Sequence, residues 1–389
     1  MMICTICCSQ LRAPVFESPA GLTSMGTPAS WPIRVRFCEH CTHISTDPPG
    51  DEQHFYATEY RICDDAEDED QLYDNGEQTR TRTAQQVELL LGSTLLPPSA
   101  RVLSLGAAKA STLRGLSAKR PDIVPHAFDV TARYQSSWNA WLTPEQQAVG
   151  SVPPAWNGQM DVVYLLFVAE HVSDLAALAQ QARLALREAG ELRVLVPNVF
   201  SNPGDLVVAD HVHHFTQASL RSWLERAGFT NIRIDAAAHA GALFASASNA
   251  TAVAGISDTP GTLEVSPRVI EAETQEVRRR LDRIVRYWSE FTHRVREAEA
   301  DRDGEIAIFG AGFYGRMIAG ALLDSQRLVA FLDSNPWLQN REVNDRPVLS
   351  PSSFPEVATV FIGLNPMRAR TITARVPELQ RTDFAVVYP

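Results

Sequence analysis

Between about residues 80 and 240 the chain alternates between two hydrophobic rhythms. The stretches 101–106, 124–130, 161–168 and 191–198 are short, nearly continuous apolar runs rich in Val and Leu. The stretches 83–95, 111–120, 174–190 and 219–229 instead repeat apolar positions every three or four residues. Runs of the first kind suit strands buried on both faces, and runs of the second suit helices with one apolar side. A further strand is expected over 231–238, and the helix of 174–190 is expected to end at Gly190. Strands and helices alternating at this spacing predict a parallel, doubly wound α/β sheet.

The rhythm changes again near residue 267. From there to about 302 one long polar helix is predicted, with Val277, Leu281, Ile284, Trp288, Phe291 and Val295 stepping by four and three. That seam either pairs two protomers or lies against the chain's own domains, and over barely three heptads the second reading is preferred. Apolar runs at 306–309, 328–332 and 359–362 follow, predicting a smaller βαβ unit. Within it Gly310, Gly312 and Gly315 directly follow a strand and open a helix, and Asp333 ends the next strand. This is the context in which glycines admit a nucleotide and an acid holds a ribose. A degenerate sugar-nucleotide pocket, a nicotinamide site and glycines used only for tight packing all fit it.

Composition narrows the function classes. With 389 residues, 45% of them hydrophobic, two or three domains are expected. A formal net charge of -11 argues against a nucleic-acid polymer as partner, because phosphate neutralisation needs a basic surface. Small anions remain compatible, since helix N-termini bind phosphate locally. No apolar run reaches the length needed to span a bilayer, so no membrane partner is expected and a cytoplasmic location is.

The first 50 residues carry Cys4-x2-Cys7 and Cys38-x2-Cys41 amid Pro, Gly and Ser. Two such pairs suit one tetrahedral Zn2+ site, closed by four thiolates and therefore structural. Disulfides, reduced structural thiols and another metal are the alternatives, and the absence of an export-type leader disfavours the first. Cys8 and Cys63 read as ordinary thiols, and the acidic run from Asp64 to Asp70 as a solvated connector. The expected domains are 1–75 for this module and connector, 76–266 for the larger α/β unit, and 267–389 for the long helix and the smaller unit.

Candidate chemistry sits at strand ends. The turn Leu105, Gly106, Ala107 and Ala108 follows the first buried strand, and Asp129 ends the second, where an acid can accept both hydroxyls of an adenosine ribose. Glu170-His171 follows the strand 161–168, and Asp210-His211-Val212-His213-His214 lies beyond 191–198. A histidine near neutral pH is suited to removing a proton, and a neighbouring carboxylate can orient it.

These features in this order resemble the sugar C-methyltransferase family: two cysteine knuckles, an α/β unit carrying VAEHVSDL and LRVLVPN, the segment DHVHHFTQASLRSWLERAGF, a bridging helix and a small terminal βαβ unit. The resemblance spans nearly the whole chain. It implies a structural zinc, a class I methyltransferase core using S-adenosylmethionine, and a Rossmann-like terminal domain. It further implies methylation of a carbon beside a keto group on a nucleotide-linked deoxysugar, by a monomer or homodimer. On that likeness His211 is the base, Asp210 takes the place of its neighbouring glutamate, and His171 lines the reacting centre. Leu105, Gly106, Ala107 and Asp129 hold the cofactor. Tyr56 and Tyr60 cover the sugar, with His214, Gly310, Gly312 and Gly315 also on the substrate side. Two positions depart from the family pattern: Lys109 stands where the turn usually has an acid, and Val208 where a tyrosine precedes the Glu-His pair. A descendant that binds a sugar nucleotide or moves protons without methylating is the alternative.

Overall fold

Short strands from the two ends of the cysteine module pair first, and they recruit a strand from far along the chain. The computed structural model of the protein describes residues 2–61, 70–74, 79–93, 96–239, 241–249 and 267–389. Cys63 and residues 64–69 of the acidic run lie outside the described residues. Strands β1 (Phe16–Ser18), β2 (Ile33–Phe37) and β3 (Ile44–Thr46) form an antiparallel meander. A short helix α1 (Glu52–His54) runs on into a π-helical turn, Phe55–Glu59. A hairpin, β4 (Leu72–Asp74) and β5 (Thr79–Thr81), leads to helix α2 (Arg82–Ser93). Asp70, expected in the solvated connector, instead accepts the Thr83 amide at 3.0 Å and caps that helix.

The larger unit then follows as β6 (Arg101–Leu105), α3 (Ser111–Lys119), β7 (Val124–Asp129), α4 (Gln135–Asn139), β8 (Gln147–Val149), β9 (Met160–Leu166), α5 (Leu175–Ala185) and β10 (Leu186–Pro197). It continues with β11 (His213–His214), α6 (Gln217–Arg226), β12 (Phe229–Asp235) and β13 (Ala242–Asn249). Seven of these strands make one sheet in the order β12-β13-β10-β9-β6-β7-β8. Pairings from β10 through β8 are parallel, as expected. Strand β13 is the exception, antiparallel to both neighbours, and its Ala- and Ser-rich run was not foreseen as a strand.

A second correction concerns 174–190. The helix stops at Ala185, and β10 starts at Leu186 opposite Met160, with a register shift absorbing the residues before Glu191. The Asn249 side-chain amide donates to the carbonyls of Arg183, Leu186 and Arg187, satisfying backbone groups that a continued helix would have paired internally. Tertiary hydrogen bonds thus overrule a helical repeat.

Helix α7 (Pro267–Ala300) spans 34 residues. Its predicted seam, Val277 to Val295, is buried in a core shared with Ile33, Val35 and Ile44 of the N-terminal sheet and with the terminal unit. Burial of such side chains is worth about 1.5–3 kcal/mol each. The seam is therefore filled from within the chain, and the dimer-pairing alternative for it is set aside. The terminal unit comprises β14 (Ile306–Phe309), α8 (Phe313–Ala321), β15 (Leu328–Leu332), β16 (Glu342–Val343), β17 (Arg346–Leu349), β18 (Thr359–Ile362), α9 (Ala369–Thr373) and β19 (Ala385–Val387), in sheet order β16-β17-β15-β14-β18-β19. Among the described residues no helix is long and apolar enough to cross a membrane.

Candidate functional site

Two residues of the large unit, His213 and His214, form β11, and β11 pairs not with the central sheet but with β3. The histidine segment thereby becomes the fourth strand of the N-terminal sheet. Further contacts fasten it there. Thr46 Oγ1 meets His214 Nε2 at 2.8 Å, the Trp31 indole donates to the Ala209 carbonyl at 3.2 Å, and Ser24 donates through its amide and hydroxyl to the Asp210 carboxylate at 2.6 and 2.7 Å.

His211 is oriented by a residue that sequence reasoning passed over. Its Nδ1 lies 2.6 Å from one carboxylate oxygen of Asp205, and the other oxygen receives His214 Nδ1 at 2.8 Å. Asp205 is buried, and it is placed from the opposite side by the terminal unit. The Tyr314 hydroxyl accepts the Gly204 amide at 2.6 Å and donates to Asn202, while the Trp288 indole donates to the Pro203 carbonyl at 2.8 Å. A Cβ on Gly204 would lie 2.7 Å from the Tyr314 ring, so only glycine admits this approach. The signal in the sequence was an acid six residues before His211 behind a Pro-Gly pair, which by itself reads as a turn.

Asp210 therefore does not act as the partner expected for His211. Its carboxylate is committed to Ser24, and its carbonyl and carboxylate approach His171 Nδ1 at 3.1 and 3.4 Å. His214 is also corrected: fully buried between Asp205 and Thr46, it cannot touch a substrate and instead locks the loop. His171 and His211 do come together, edge to face, with ring centroids 4.6 Å apart. Tyr56 and Tyr60 reach His171. The Tyr56 hydroxyl is 3.3 Å from His171 Nδ1, and the Tyr60 ring packs on the His171 ring at 5.6 Å.

Glu170, noted in the sequence only as the neighbour of His171, completes the cluster. One donor atom each from Glu170, His171 and His211 lie within 4.8 Å of one another. Both Glu170 carboxylate oxygens are buried without a hydrogen-bond partner among the described residues. Burial pushes this carboxyl up to about 8 against the pull of His211. Burial and the charge of His211 lower His171 to about 4. Burial also opposes charge on His211, but the Asp205 hydrogen bond and charge, with Asp210 and Glu170 beyond, lift it to about 9. For Asp205 the penalty of burial is outweighed by His214 and His211, which hold the carboxyl below its usual range.

The expected cofactor turn follows β6. Gly106 has φ +83°, and an added Cβ would stand 2.6 Å from Val168. Gly106→Ala should destabilise the protein by about 2 kcal/mol or more, through left-handed strain and overpacking, seen as a fall of several degrees in thermal midpoint. Ala108 and Ala110 keep left-handed backbone, φ 44° and 57°, without glycine's freedom. Asp129 accepts the amides of Ala108 at 2.9 Å and Thr131 at 3.2 Å, and each of its oxygens retains a lone pair for a ribose hydroxyl. The Leu105 side chain is core, not cofactor-facing, and the Gly106 and Ala107 amides both donate to the Phe128 carbonyl. Turn and acid thus fit an adenosyl group, with its backbone amides already taken.

In the terminal unit Gly310 and Gly315 are packing glycines. A Cβ on Gly310 would meet the Gly363 carbonyl at 2.4 Å, and one on Gly315 would overlap the Gly310 carbonyl. Of these three, Gly312 faces open space. Asp333 repeats the arrangement of Asp129, accepting the Ala311 amide at 2.8 Å.

The cysteines converge. Sγ of Cys4 and Cys41 are 3.6 Å apart, those of Cys7 and Cys38 3.5 Å, and all four lie within 4.8 Å of one another. Four sulfurs at about 2.3 Å from one ion give such separations, so the set is compatible with zinc. Cys8 stays outside the cluster and exposed. A groove of about 970 Å³ opens at the carboxyl edge of the central sheet, lined by Arg80, Ser201, Arg233, Asp235, His239 and Arg368 among others. The Phe167 ring, three residues before Glu170, packs on His239 at 5.8 Å.

With this geometry in place, comparison with known proteins bears on the larger unit. Residues 76–234 match the model of a methyltransferase-domain family. That unit is methyltransferase-like. The match covers the turn, Asp129, the His171 and His211 cluster and helix α6, and ends within β12. No curated protein matches the chain. Among solved structures, a putative methyltransferase in complex with the Trm112 activator of Haloferax volcanii is 15% identical and covers 44% of this chain and 91% of that one, at TM-score 0.36. An O-methyltransferase family protein of Burkholderia thailandensis is 10% identical over 44% and 57% of the two chains, at 0.36. The CurJ carbon methyltransferase is 16% identical over 43% and 54%, at 0.34.

Proposed function

We propose that this protein transfers the methyl group of S-adenosylmethionine to a carbon beside a carbonyl, on a nucleotide-linked keto sugar. The observation that carries the reading is His211, whose Nδ1 is clamped by a buried carboxylate within a methyltransferase-domain match. An imidazole held in this way presents its Nε2 lone pair as a base, and the Asp205 charge stabilises the imidazolium that forms. His211 would remove the proton next to the carbonyl, and the enolate carbon would bond to the methyl as its bond to sulfur breaks, releasing S-adenosylhomocysteine. When bound, the cofactor supplies an electrophilic methyl on a sulfonium. Gly106 and Asp129 would hold its adenosine. Tyr56 and Tyr60 cover the cluster and exclude water, which keeps the enolate from being reprotonated by solvent. The separate groove that carries Arg233 and Arg368, with Arg80 paired to Glu88, suits the diphosphate.

One observation favours a second reading, proton transfer without methylation. Ala108 and Ala110 place methyl groups on left-handed turn positions, and Lys109 stands between them. Calorimetry with S-adenosylmethionine and S-adenosylhomocysteine separates the two. Micromolar binding is expected, together with methyl transfer that His211→Ala abolishes while cofactor affinity is kept. Absence of heat and of thermal protection at millimolar cofactor, with deuterium exchange into a keto sugar, establishes the second reading instead.

A further inference from the structure

Three features of the Glu170, His171 and His211 cluster point beyond a base and its covering residues. The first is an orphaned charge-bearing group. Glu170 is 0% exposed and neither carboxylate oxygen has a hydrogen-bond partner among the described residues. A buried carboxyl left this way costs several kcal/mol, and native proteins meet that cost with a partner, a water or an ion. The second is the state of the two imidazoles. His211 Nδ1 is held by the Asp205 carboxylate at 2.6 Å, and His171 Nδ1 by the Asp210 carbonyl at 3.1 Å with the Tyr56 hydroxyl at 3.3 Å. In their neutral forms both rings therefore carry the hydrogen on Nδ1 and have the lone pair on Nε2. Oxygen acceptors on the far nitrogen are the arrangement by which proteins fix histidines that ligate metals. The third is convergence, since one donor from each residue lies within 4.8 Å of the others. Ligands at 2.0–2.2 Å from one ion stand about 3.4 Å apart, so the three side chains close in on one another for the carboxylate and the two Nε2 atoms to share an ion.

We infer that Glu170, His171 and His211 take a divalent cation, through the carboxylate and the two Nε2 atoms, separately from the four-cysteine cluster. Two imidazoles and a carboxylate suit zinc, cobalt or ferrous iron and leave coordination positions open. The inference rests on the proposed role of His211 in one respect. The lone pair that would bind the ion is the one that removes the proton, so cation and acceptor C–H compete for it. The cation-loaded protein is then an inhibited form, and chelation of this site alone raises turnover.

Metal titration of the full chain tests this without cofactor or acceptor present. Protein whose cysteine site is filled with zinc should take up one further equivalent of Co2+, with visible ligand-field absorption and no thiolate-to-cobalt charge-transfer band. Glu170→Gln and His171→Ala should each weaken that uptake by about 100-fold or more, and Asp205→Asn by about 10–100-fold, with zinc at the cysteines retained. Two substitutions at different ligands guard against one that fails to fold. No second equivalent at millimolar Co2+ overturns the proposal, as does uptake that is unchanged in both ligand variants. A wild type that takes no second ion while Glu170→Gln gains thermal stability would identify Glu170 as a neutral buried acid, also overturning it. Methyl transfer is read separately, so a protein that binds the ion and transfers nothing sinks the functional reading alone.

Discussion

Replacing Cys38 with serine is expected to strip the metal from the N-terminal cluster, lower the thermal midpoint by roughly 10 °C and abolish acceptor turnover in the same variant. A neutral hydroxyl does not replace a thiolate as a zinc ligand, and the remaining three sulfurs then hold an open, labile site. Structural zinc sites in small modules contribute about 10–16 kcal/mol of apparent binding free energy. Only part of this is lost here, because Ile33, Val35 and Ile44 remain anchored in the core shared with α7. The loss of activity follows from β3. Thr46 and the β3 backbone hold His214, His214 holds Asp205, and Asp205 holds His211. A loosened N-terminal sheet therefore releases the base. Elemental analysis and thermal melting read the result, with exposed Cys8→Ser as the unaffected control. Retained zinc with an unchanged midpoint in Cys38→Ser would show that the four sulfurs do not share an ion.

Asp205→Asn should reduce methyl transfer by about 10²–10⁴-fold while cofactor affinity stays within a few-fold of wild type. The amide cannot orient the imidazole with a charge, nor stabilise the imidazolium. The pH profile is the sharper readout. His211 is raised to about 9, so in the cation-free protein turnover should climb about tenfold per pH unit towards that value, as the neutral base becomes populated. Without the Asp205 charge that limb moves to lower pH. Stability runs the opposite way with pH. A folded pKa of about 9 against an ordinary value of 6.5 contributes stability fully present below pH 6.5 and lost as pH rises through 9. Wild type should lose stability across that window more than Asp205→Asn does. Identical limbs in the two proteins would remove Asp205 as the orienting group. Asp205→Ala is a poorer probe, since two buried histidines lose their partner and folding suffers.

The alternation of rhythms made most strands and helices legible, because a strand buried on both faces and a helix buried on one leave different apolar spacings. The elements that escaped are those whose cause is tertiary. β13 is built of alanine and serine, residues whose burial comes from neighbours rather than from their own hydrophobicity. The end of α5 depends on the Asn249 amide, 63 residues beyond Leu186, which no local window contains. The site shows the same division. The histidines stood out as a polar cluster in apolar surroundings, whereas Tyr56 and Tyr60 were reached only through the family resemblance. Asp205 could not be distinguished from any turn acid, since its function lies in which two nitrogens it receives. Asp210, adjacent to His211, was the natural partner on the page and is turned away by Ser24.

The pairing of β11 with β3 also fixes an order of assembly. Its side-chain contacts join residues 168 to 174 positions apart in the chain. During synthesis the first 50 residues leave the ribosome lacking the strand that completes their sheet, and they must persist while more than 150 further residues are made. A metal that ties residues 4 and 41 together needs no such delay, since both its knuckles are present early. An ion bound there would hold an unfinished edge in readiness, and the histidine segment is put in place only when the late strand closes it.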